Sequence, residues 1–330
     1  MRVLITGATG FIGRRLSDYL DEQGHDLVAL VRSTSNRAGL PSAMSFREAN
    51  LLEPETLKPC VENVEAVIHL AAYFDFYPSD EELMFEINVD GTRNLMEACI
   101  GTPVKRFIYC SSTEAIGPVE FPPGNEDTVT NPAFAYGESK VQAEKAVRKI
   151  GKENELDYII LRPTGVMGEG DLYTGYELIK ALNNKEVPVL PGDGEKHIMY
   201  THVDDVVRGF AKALTSQSAL NETIILCPDE PEKYKNLIEY IAGVLGVEAP
   251  TRYIPTGVAK FGIGLLSPFK NRGKTTFLWH MQSIQSMDEE RWFSNEKASR
   301  LLGWSPEITM REGIKRAIDW YYENDYLERK

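Results

Sequence analysis

Tyr136 and Lys140 stand four residues apart in the run Tyr-Gly-Glu-Ser-Lys, inside a Glu-rich stretch of helical character, so a phenol and an ammonium share one helix face. A phenol with a pKa near ~10 exchanges protons poorly at neutral pH. A cation about 4 Å away, at an effective dielectric of about 20, is worth roughly 4 kcal/mol, which is enough to lower that pKa by a few units. Such a tyrosine can give a proton to a carbonyl oxygen or take one from an alcohol, while the lysine also holds a ribose. Ser112, in Tyr109-Cys-Ser-Ser-Thr113, offers a fixed hydroxyl donor to the same oxygen, with Ser111 as its structural neighbour. Asn88, in Asn-Val-Asp-Gly-Thr-Arg-Asn94, is an amide inside a helical stretch. It is expected either to hold a water beside the site or to satisfy a backbone group. Each feature alone also has an ordinary structural explanation, as a surface pair or a loop cap.

The second chemistry sits at the N-terminus. Val3, Leu4 and Ile5 read as a buried strand, and Gly7, Gly10 and Gly13 follow at intervals of three as a helical pattern begins. Gly7 lets the chain turn, Gly10 lets backbone approach a pyrophosphate, and Gly13 lets the helix pack closely. Thr9, Phe11 and Ile12 complete the turn. The anion would rest on the amides and positive dipole end of the helix. The strand before and the helix after the glycines lift this above a chance spacing, so a dinucleotide site is expected.

These groups need a scaffold, and the chain has the means for one. Its 330 residues are 42% apolar and 26% charged, enough for a large globular α/β core. A net charge of −13 argues against a nucleic-acid or anionic-membrane surface. Cys60, Cys99, Cys110 and Cys227 are scattered without metal-ligand spacing, which favours reduced thiols and no metal. No apolar run is long enough to span a bilayer, and the chain enters its first strand at once, so a cytoplasmic protein is expected.

Periodicity predicts a helix over 11–23, strands over 26–31 and 44–49, a helix over 54–61, and a strand over 66–70. A helix over 81–100, a strand over 106–110, a long helix over 133–153 and a strand over 158–161 follow. This alternation implies right-handed crossovers and a parallel sheet covered on both faces. Residues 1–162 would form the dinucleotide-binding core and 163–330 mainly a smaller substrate-binding region, with about 200–226 returning to the core through a strand over 221–226. Residues 255–287, with Phe261, Leu265, Leu266, Phe269, Phe277, Leu278 and Trp279, read as helical core in preference to a lid or membrane-touching surface.

Thr6-Gly-Ala-Thr-Gly-Phe-Ile-Gly13, His69-Leu-Ala-Ala72, Asn88-Val-Asp-Gly91, Ser111-Ser112, Tyr136-x-x-x-Lys140, Arg162-Pro163 and His202-Val-Asp-Asp205 together resemble the extended short-chain dehydrogenases/reductases, the NAD-dependent epimerase/dehydratase superfamily. The resemblance runs along most of the chain, through Trp292 to Pro306. It implies a doubly wound Rossmann fold, a nicotinamide cofactor, catalysis by Ser112, Tyr136 and Lys140 with Asn88 in support, and a homodimer as the family's common assembly. Leu51, Leu70, Ala71, Ala72 and Pro163 would complete the cofactor site. Two departures narrow it. Val31-Arg32-Ser33 stands where NAD-preferring members carry an acidic residue, so Arg32 suits a 2′-phosphate, helped by Arg14 and Arg37. NADP is therefore favoured over NAD. Asn50 replaces a common aspartate and keeps an acceptor for the adenine amine. Ile198-Met199-Tyr200 stands where nucleotide-sugar members carry Arg-Asp before an aromatic, with Arg291 or Arg252 as the other candidate cations. The resemblance is nearest to the dihydroflavonol-reductase and 3β-hydroxysteroid-dehydrogenase-like branch. The expected activity is therefore hydride transfer between NAD(P) and a small-molecule ketone or secondary alcohol. The alternatives are a nucleotide-sugar epimerase or dehydratase with tightly bound NAD, and a non-catalytic dinucleotide sensor.

Overall fold

The computed structural model describes residues 1–76, 78–266 and 281–329. Strands β1 (Arg2–Thr6), β2 (Asp26–Val31), β3 (Ser45–Glu48), β4 (Ala66–His69), β5 (Arg106–Cys110) and β6 (Asp157–Pro163) all lie within two residues of the expected runs. Short strands β7 (Gly165–Met167), β8 (Leu190–Pro191), β9 (His197–Ile198) and β10 (Tyr200–His202) precede β11 (Glu222–Leu226), which is followed by β12 (Glu232–Lys233) and β13 (Tyr253–Ile254). The central sheet has seven parallel strands in the order β11-β6-β5-β4-β1-β2-β3. It is a Rossmann-like, doubly wound α/β sheet. The strand order reverses between β1 and β4, so the crevice for a ligand opens beyond Thr6 and His69, the last residues of those strands.

The helices are α1 (Phe11–Glu22), α2 (Pro54–Val61), α3 (Glu81–Phe85), α4 (Gly91–Ala98), α5 (Ala135–Asn154), α6 (Thr174–Asn183), α7 (Val203–Thr215), α8 (Tyr234–Leu245), α9 (Thr256–Leu266), α10 (Met281–Ser286), α11 (Glu296–Leu302) and α12 (Met310–Glu323). Side chains alternate across the sheet, as the strand period demands. Val3, Ile5, Ala29, Ile68, Ile108 and Leu161 face α1, α7 and α11, with Leu16, Phe210 and Trp304 in the same core. Leu4, Val28, Val67, Phe107, Tyr109 and Ile160 face α2, α4 and α5. A separate core, with Ile179, Leu237, Ile238, Ile314 and Tyr321, joins α6, α8 and α12 on the other side of the crevice. The chain returns to the sheet through α7, which packs on α1, and through β11, which pairs with β6. Asp205 pins this return: its carboxylate accepts from the Glu307 and Ile308 amides and pairs with Arg208, and its carbonyl accepts from Trp304 Nε1.

Two expectations about elements need correction. The single helix expected over 81–100 is three pieces, because a π-helical turn over Glu86–Asp90 separates α3 from α4. The widened turn carries Asn88, and such bulges are typical of functional positions. The reading of 255–287 as inward-packed helical core fails at α9, where Val258 and Phe261 are exposed, although Ile284 and Met287 are buried. Phe269, Phe277, Leu278 and Trp279 lie outside the described residues. No helix among the described residues is long and apolar enough to cross a membrane.

Candidate active site

The end of β5 and the start of α5 meet at the crevice. Ser112 caps the 3-10 turn Thr113–Ala115, its Oγ accepting from the Glu114 amide at 3.1 Å, which leaves the hydroxyl proton to be donated elsewhere. Gly137 is what lets α5 come so close, since a Cβ there would collide with the Glu114 carbonyl. One turn of α5 then buries Tyr136 and Lys140 side by side, with Lys140 Nζ 5.5 Å from the Tyr136 ring centroid and 4.9 Å from that of Tyr109. Lys140 Nζ donates to the Cys110 carbonyl at 2.8 Å. Ser111, one residue from Ser112, donates to Glu144 at 2.5 Å, and Arg162 grips the same carboxylate with two bonds of 2.8 and 2.7 Å. Burial raises the Glu144 pKa, but the Arg162 hydrogen bond and charge, with Arg148 and Ser111, bring it below the usual value. A buried ion pair thus fixes α5 against β5 and β6.

The expected lowering of the Tyr136 pKa by Lys140 is not what the structure shows. Burial, then Cys110 and Glu114, push the hydroxyl well above its ordinary value, and burial lowers the Lys140 pKa. The physical reason is that the ammonium lies over the ring and is drawn to the Cys110 carbonyl, while the site's low polarity penalises a phenolate. Burial therefore favours the protonated form of Tyr136.

Asn88 holds a loop, satisfying backbone groups as the second of its two expectations had it. Its Oδ1 accepts from the Tyr73 amide at 2.7 Å, and its Nδ2 donates to the Tyr73 carbonyl and to Ser139 Oγ on α5, both at 3.0 Å. It thereby ties residues 73–76 to the helix that carries Tyr136. Behind it runs a directional chain of hydrogen bonds. The Asn88 carbonyl can only accept, so Thr92 spends its proton there at 2.6 Å, and His69 Nε2 must carry the ring hydrogen that Thr92 accepts at 2.9 Å. The neutral ring's Nδ1 then accepts from Thr6 Oγ1 at 2.6 Å, which in turn accepts from the Ala71 amide at 3.1 Å. Burial, with the Lys140 charge, lowers the His69 pKa to about 3, consistent with that neutral tautomer.

The glycine turn has the expected form. Gly7 takes a left-handed φ of 72°, and a Cβ there would strike the Ala71 backbone, so the β1 and β4 ends touch. A Cβ on Gly13 would collide with the Gly7 carbonyl, whereas one on Gly10 would meet only that carbonyl at 3.2 Å, leaving its other side open. Gly10 caps α1 without a side-chain hydrogen bond, and the first turn carries no acidic residue. An uncapped N-terminus of this kind fits a pyrophosphate. Thr9, Phe11 and Ile12 lie in the same turn, and Leu70, Ala71 and Ala72 leave β4 beside it, with Leu70 N bonded to the Thr6 carbonyl at 3.2 Å. Pro163 ends β6, two strands from β4 at the same edge of the sheet.

The adenosine side is less simple than expected. Arg32, at the end of β2, is exposed. Arg37 pairs instead with Glu48 and lies over Phe46, and Arg14 bonds the carbonyls of Thr9, Asn36 and Ala38. Both expected helpers of Arg32 therefore build the loop. Asn50 Oδ1 accepts from Leu52 N at 3.1 Å and Nδ2 donates to Glu53, so it closes its own turn before serving any adenine. Leu51 is buried against Gly91, and its carbonyl accepts from Asn94.

Sequence reasoning missed the wall around Tyr136. Phe74 meets the Tyr136 ring edge-on at 4.9 Å and Tyr173 at 5.6 Å, and Phe76 contacts Phe134 at 4.7 Å and Tyr136 at 6.2 Å. The signal was present as Phe-x-Phe after Ala72, but nothing local says where those rings point. Met199, in the segment where nucleotide-sugar members carry Arg-Asp, is buried with Ile116, Val119 and Phe293 and accepts from the Phe293 amide through Sδ, so it faces core. Arg291 is not an available cation: it pairs with Glu114 at 2.5 Å and Glu289 at 3.3 Å. His202, near Glu169 and Asp204, caps α7 by accepting from the Asp204 amide while Nε2 faces Glu169 at 3.0 Å, so both ring nitrogens are engaged.

The NAD dependent epimerase/dehydratase family matches residues 3–227. A putative UDP-glucose 4-epimerase of Methanocaldococcus jannaschii is 26% identical, the match covering 98% of this chain and 99% of that one. The decarboxylating sterol-4-alpha-carboxylate 3-dehydrogenase of Mus musculus is 27% identical over 96% of this chain and 90% of its own length. The crystal structure of gox2253 superposes with a TM-score of 0.84 at 30% identity, covering 99% of both chains. The chain belongs to the NAD-dependent epimerase/dehydratase family.

Proposed function

We propose that this family member is an oxidoreductase that moves a hydride between a nicotinamide dinucleotide, NADP in preference to NAD, and the carbonyl carbon of a bulky, largely apolar ketone, or back from the secondary alcohol. The observation that carries the reading is the aromatic wall of Phe74, Phe76, Phe134 and Tyr173 around Tyr136. Apolar area removed from water contributes about 25 cal/mol per Å², so a hydrocarbon skeleton against these rings supplies the binding energy. A sugar diphosphate would bring its negative charge toward Glu114 and Glu289, whose partner Arg291 is already shared between them.

When bound, the dinucleotide supplies or accepts the hydride. Thr9 to Gly13 and the N-terminus of α1 would hold its pyrophosphate, Lys140 its ribose, and Arg32 a 2′-phosphate. Tyr136 Oη gives its proton to the substrate oxygen, and its raised pKa keeps that proton in place until it is needed. Ser112 Oγ–H fixes the same oxygen, its orientation set by the bond that Oγ accepts from Glu114 N. Asn88 positions the wall by holding Tyr73.

A nucleotide-sugar epimerase would use the same Tyr136, Lys140 and Ser112, and relatives of both kinds share the fold. A ligand panel separates them. NADPH should be consumed with bulky cyclic or aryl ketones, and secondary alcohols with NADP⁺ should raise the melting temperature, while UDP-glucose and UDP-galactose leave it unchanged. Stabilisation by a UDP-sugar, or an NAD that survives dialysis, would overturn the reading.

A further inference from the structure

One buried titratable group takes no part in the proposed hydride transfer. His69 ends β4 after Ala66, Val67 and Ile68, is 0% exposed, and lies against the rings of Phe107 and Tyr109 with centroids 5.9 and 5.7 Å away. An apolar side chain would serve this strand at less cost, because a buried polar ring is unfavourable unless its nitrogens find partners. Both nitrogens find one. Nδ1 meets Thr6 Oγ1 at 2.6 Å, at the end of β1, and Nε2 meets Thr92 Oγ1 at 2.9 Å. Thr92 donates to the Asn88 carbonyl at 2.6 Å, four residues back in the chain. Asn88 sits in the π-helical turn Glu86–Asp90, a rare geometry that needs support from outside the helix. The imidazole is thus the link between the strand ends that floor the crevice and the turn that carries Asn88.

We infer that His69 is a positioning residue: through Thr92 it fixes the π turn of Asn88, and through Asn88 it fixes the loop 73–76 whose rings surround Tyr136. The role needs a rigid group that accepts at one end and donates at the other, which a neutral imidazole is. Burial, with the Lys140 charge, keeps the ring neutral, its pKa lowered to about 3. The Asn88 amide must meet the Tyr73 amide, the Tyr73 carbonyl and Ser139 Oγ at once, so three bonds depend on one side-chain placement. Phe74, the next residue, lies edge-on to Tyr136 at 4.9 Å, so a slack turn is felt beside the reacting hydroxyl. The inference rests on the ketone reading only for what the loop binds.

The test compares hydrogen exchange in the ligand-free, full-length enzyme with that in His69→Phe, Thr92→Val and Thr92→Ser. Phenylalanine keeps the ring contacts without a ring nitrogen, valine keeps the shape of threonine without its hydroxyl, and serine keeps the hydroxyl. The amides of residues 72–76 should exchange about tenfold faster in His69→Phe and Thr92→Val, the scale of one lost hydrogen bond, and within about threefold of the unmodified rate in Thr92→Ser. The β5 amides should be unmoved in Thr92→Val. Adding Thr92→Val to Asn88→Ala should speed 72–76 no further, since the tether acts through Asn88. Should His69→Phe fail to fold, the Thr92 variants carry the test, because they leave the sheet untouched. Unchanged exchange at 72–76 in Thr92→Val, equal loosening of β5, or effects that multiply with Asn88→Ala overturn the inference. With NADPH and α-tetralone, Thr92→Val should raise KM about tenfold, and an unchanged KM would overturn the positioning role. Faster exchange without any consumption of NADPH would keep the tether and sink the ketone reading, whereas α-tetralone reduction with unmoved exchange in Thr92→Val would do the reverse.

Discussion

The two sides of the crevice are built differently. The proposed dinucleotide side is one contiguous turn, Gly7 to Gly13, which offers backbone amides and lacks side chains at its glycines. The proposed substrate side is assembled from separate segments, 73–76, 134–136 and Tyr173, beside Glu114 and 289–291. Its working parts are side chains, and their positions depend on tethers such as Asn88 and Gly137. Backbone recognition tolerates divergence of everything around it, while side-chain recognition changes with each segment. That contrast is in keeping with relatives that match nearly the whole chain yet carry names as different as an epimerase and a sterol dehydrogenase.

The contrast breaks if mutations on one side disturb the other. Tyr136→Phe should cut turnover by at least about a hundredfold, the scale of a lost proton donor, while the dissociation constant for NADPH stays nearly unchanged. Because the Tyr136 pKa is raised, ketone reduction should hold its rate as pH rises through neutrality, whereas alcohol oxidation, which needs the deprotonated form, should rise with pH. Near-full activity in Tyr136→Phe would remove it from the chemistry. Arg32→Asp acts on the other side. It should cost NADPH about 1.5–3 kcal/mol of affinity relative to NADH, with substrate KM values unmoved. Equal affinities for the two cofactors in the unmodified enzyme would end the argument for NADP.

Phe74→Ala should raise KM for bulky ketones by about tenfold, from roughly 1.5 kcal/mol of lost apolar contact, and leave cofactor affinity intact. A matching loss of NADPH binding would show the two sides to be coupled. The smallest effect is expected at Asp171, a buried carboxyl whose amide-side oxygen accepts from Tyr173 N at 2.9 Å. Burial pushes its pKa to about 7. The folded protein therefore binds the proton more tightly than the unfolded chain, and this contribution, full below about pH 4, is lost as pH rises to about 7. Asp171→Asn keeps the acceptor and removes the titration. It should raise the melting temperature by a few degrees at pH 8 and hardly at all at pH 4. An equal shift at both values would assign the effect to packing.

How much was legible follows from where each signal resides. The strands were legible because a sheet buried on both faces requires continuous apolar runs such as Leu27 to Val31, and α2 was legible because Pro54 opens it. The interruption at Glu86–Asp90 was not, since a π turn has the same composition as the helix around it. Phe261 was expected inside because apolar side chains usually are, and its exposure is set by what α9 packs on and not by its own identity.

By itself the sequence determined the glycine turn, the Tyr136–Lys140 spacing and the alternation of strands and helices, because each element depends on residues within one turn or one strand of each other. Only the tertiary structure decided the surroundings of Tyr136, the commitment of Arg291, Arg37 and Met199 to other partners, and the rings that gather around Tyr136. Burial and charge pairing are properties of the assembled crevice: the same Arg291 would be a free cation on a surface, and between Glu114 and Glu289 it is not.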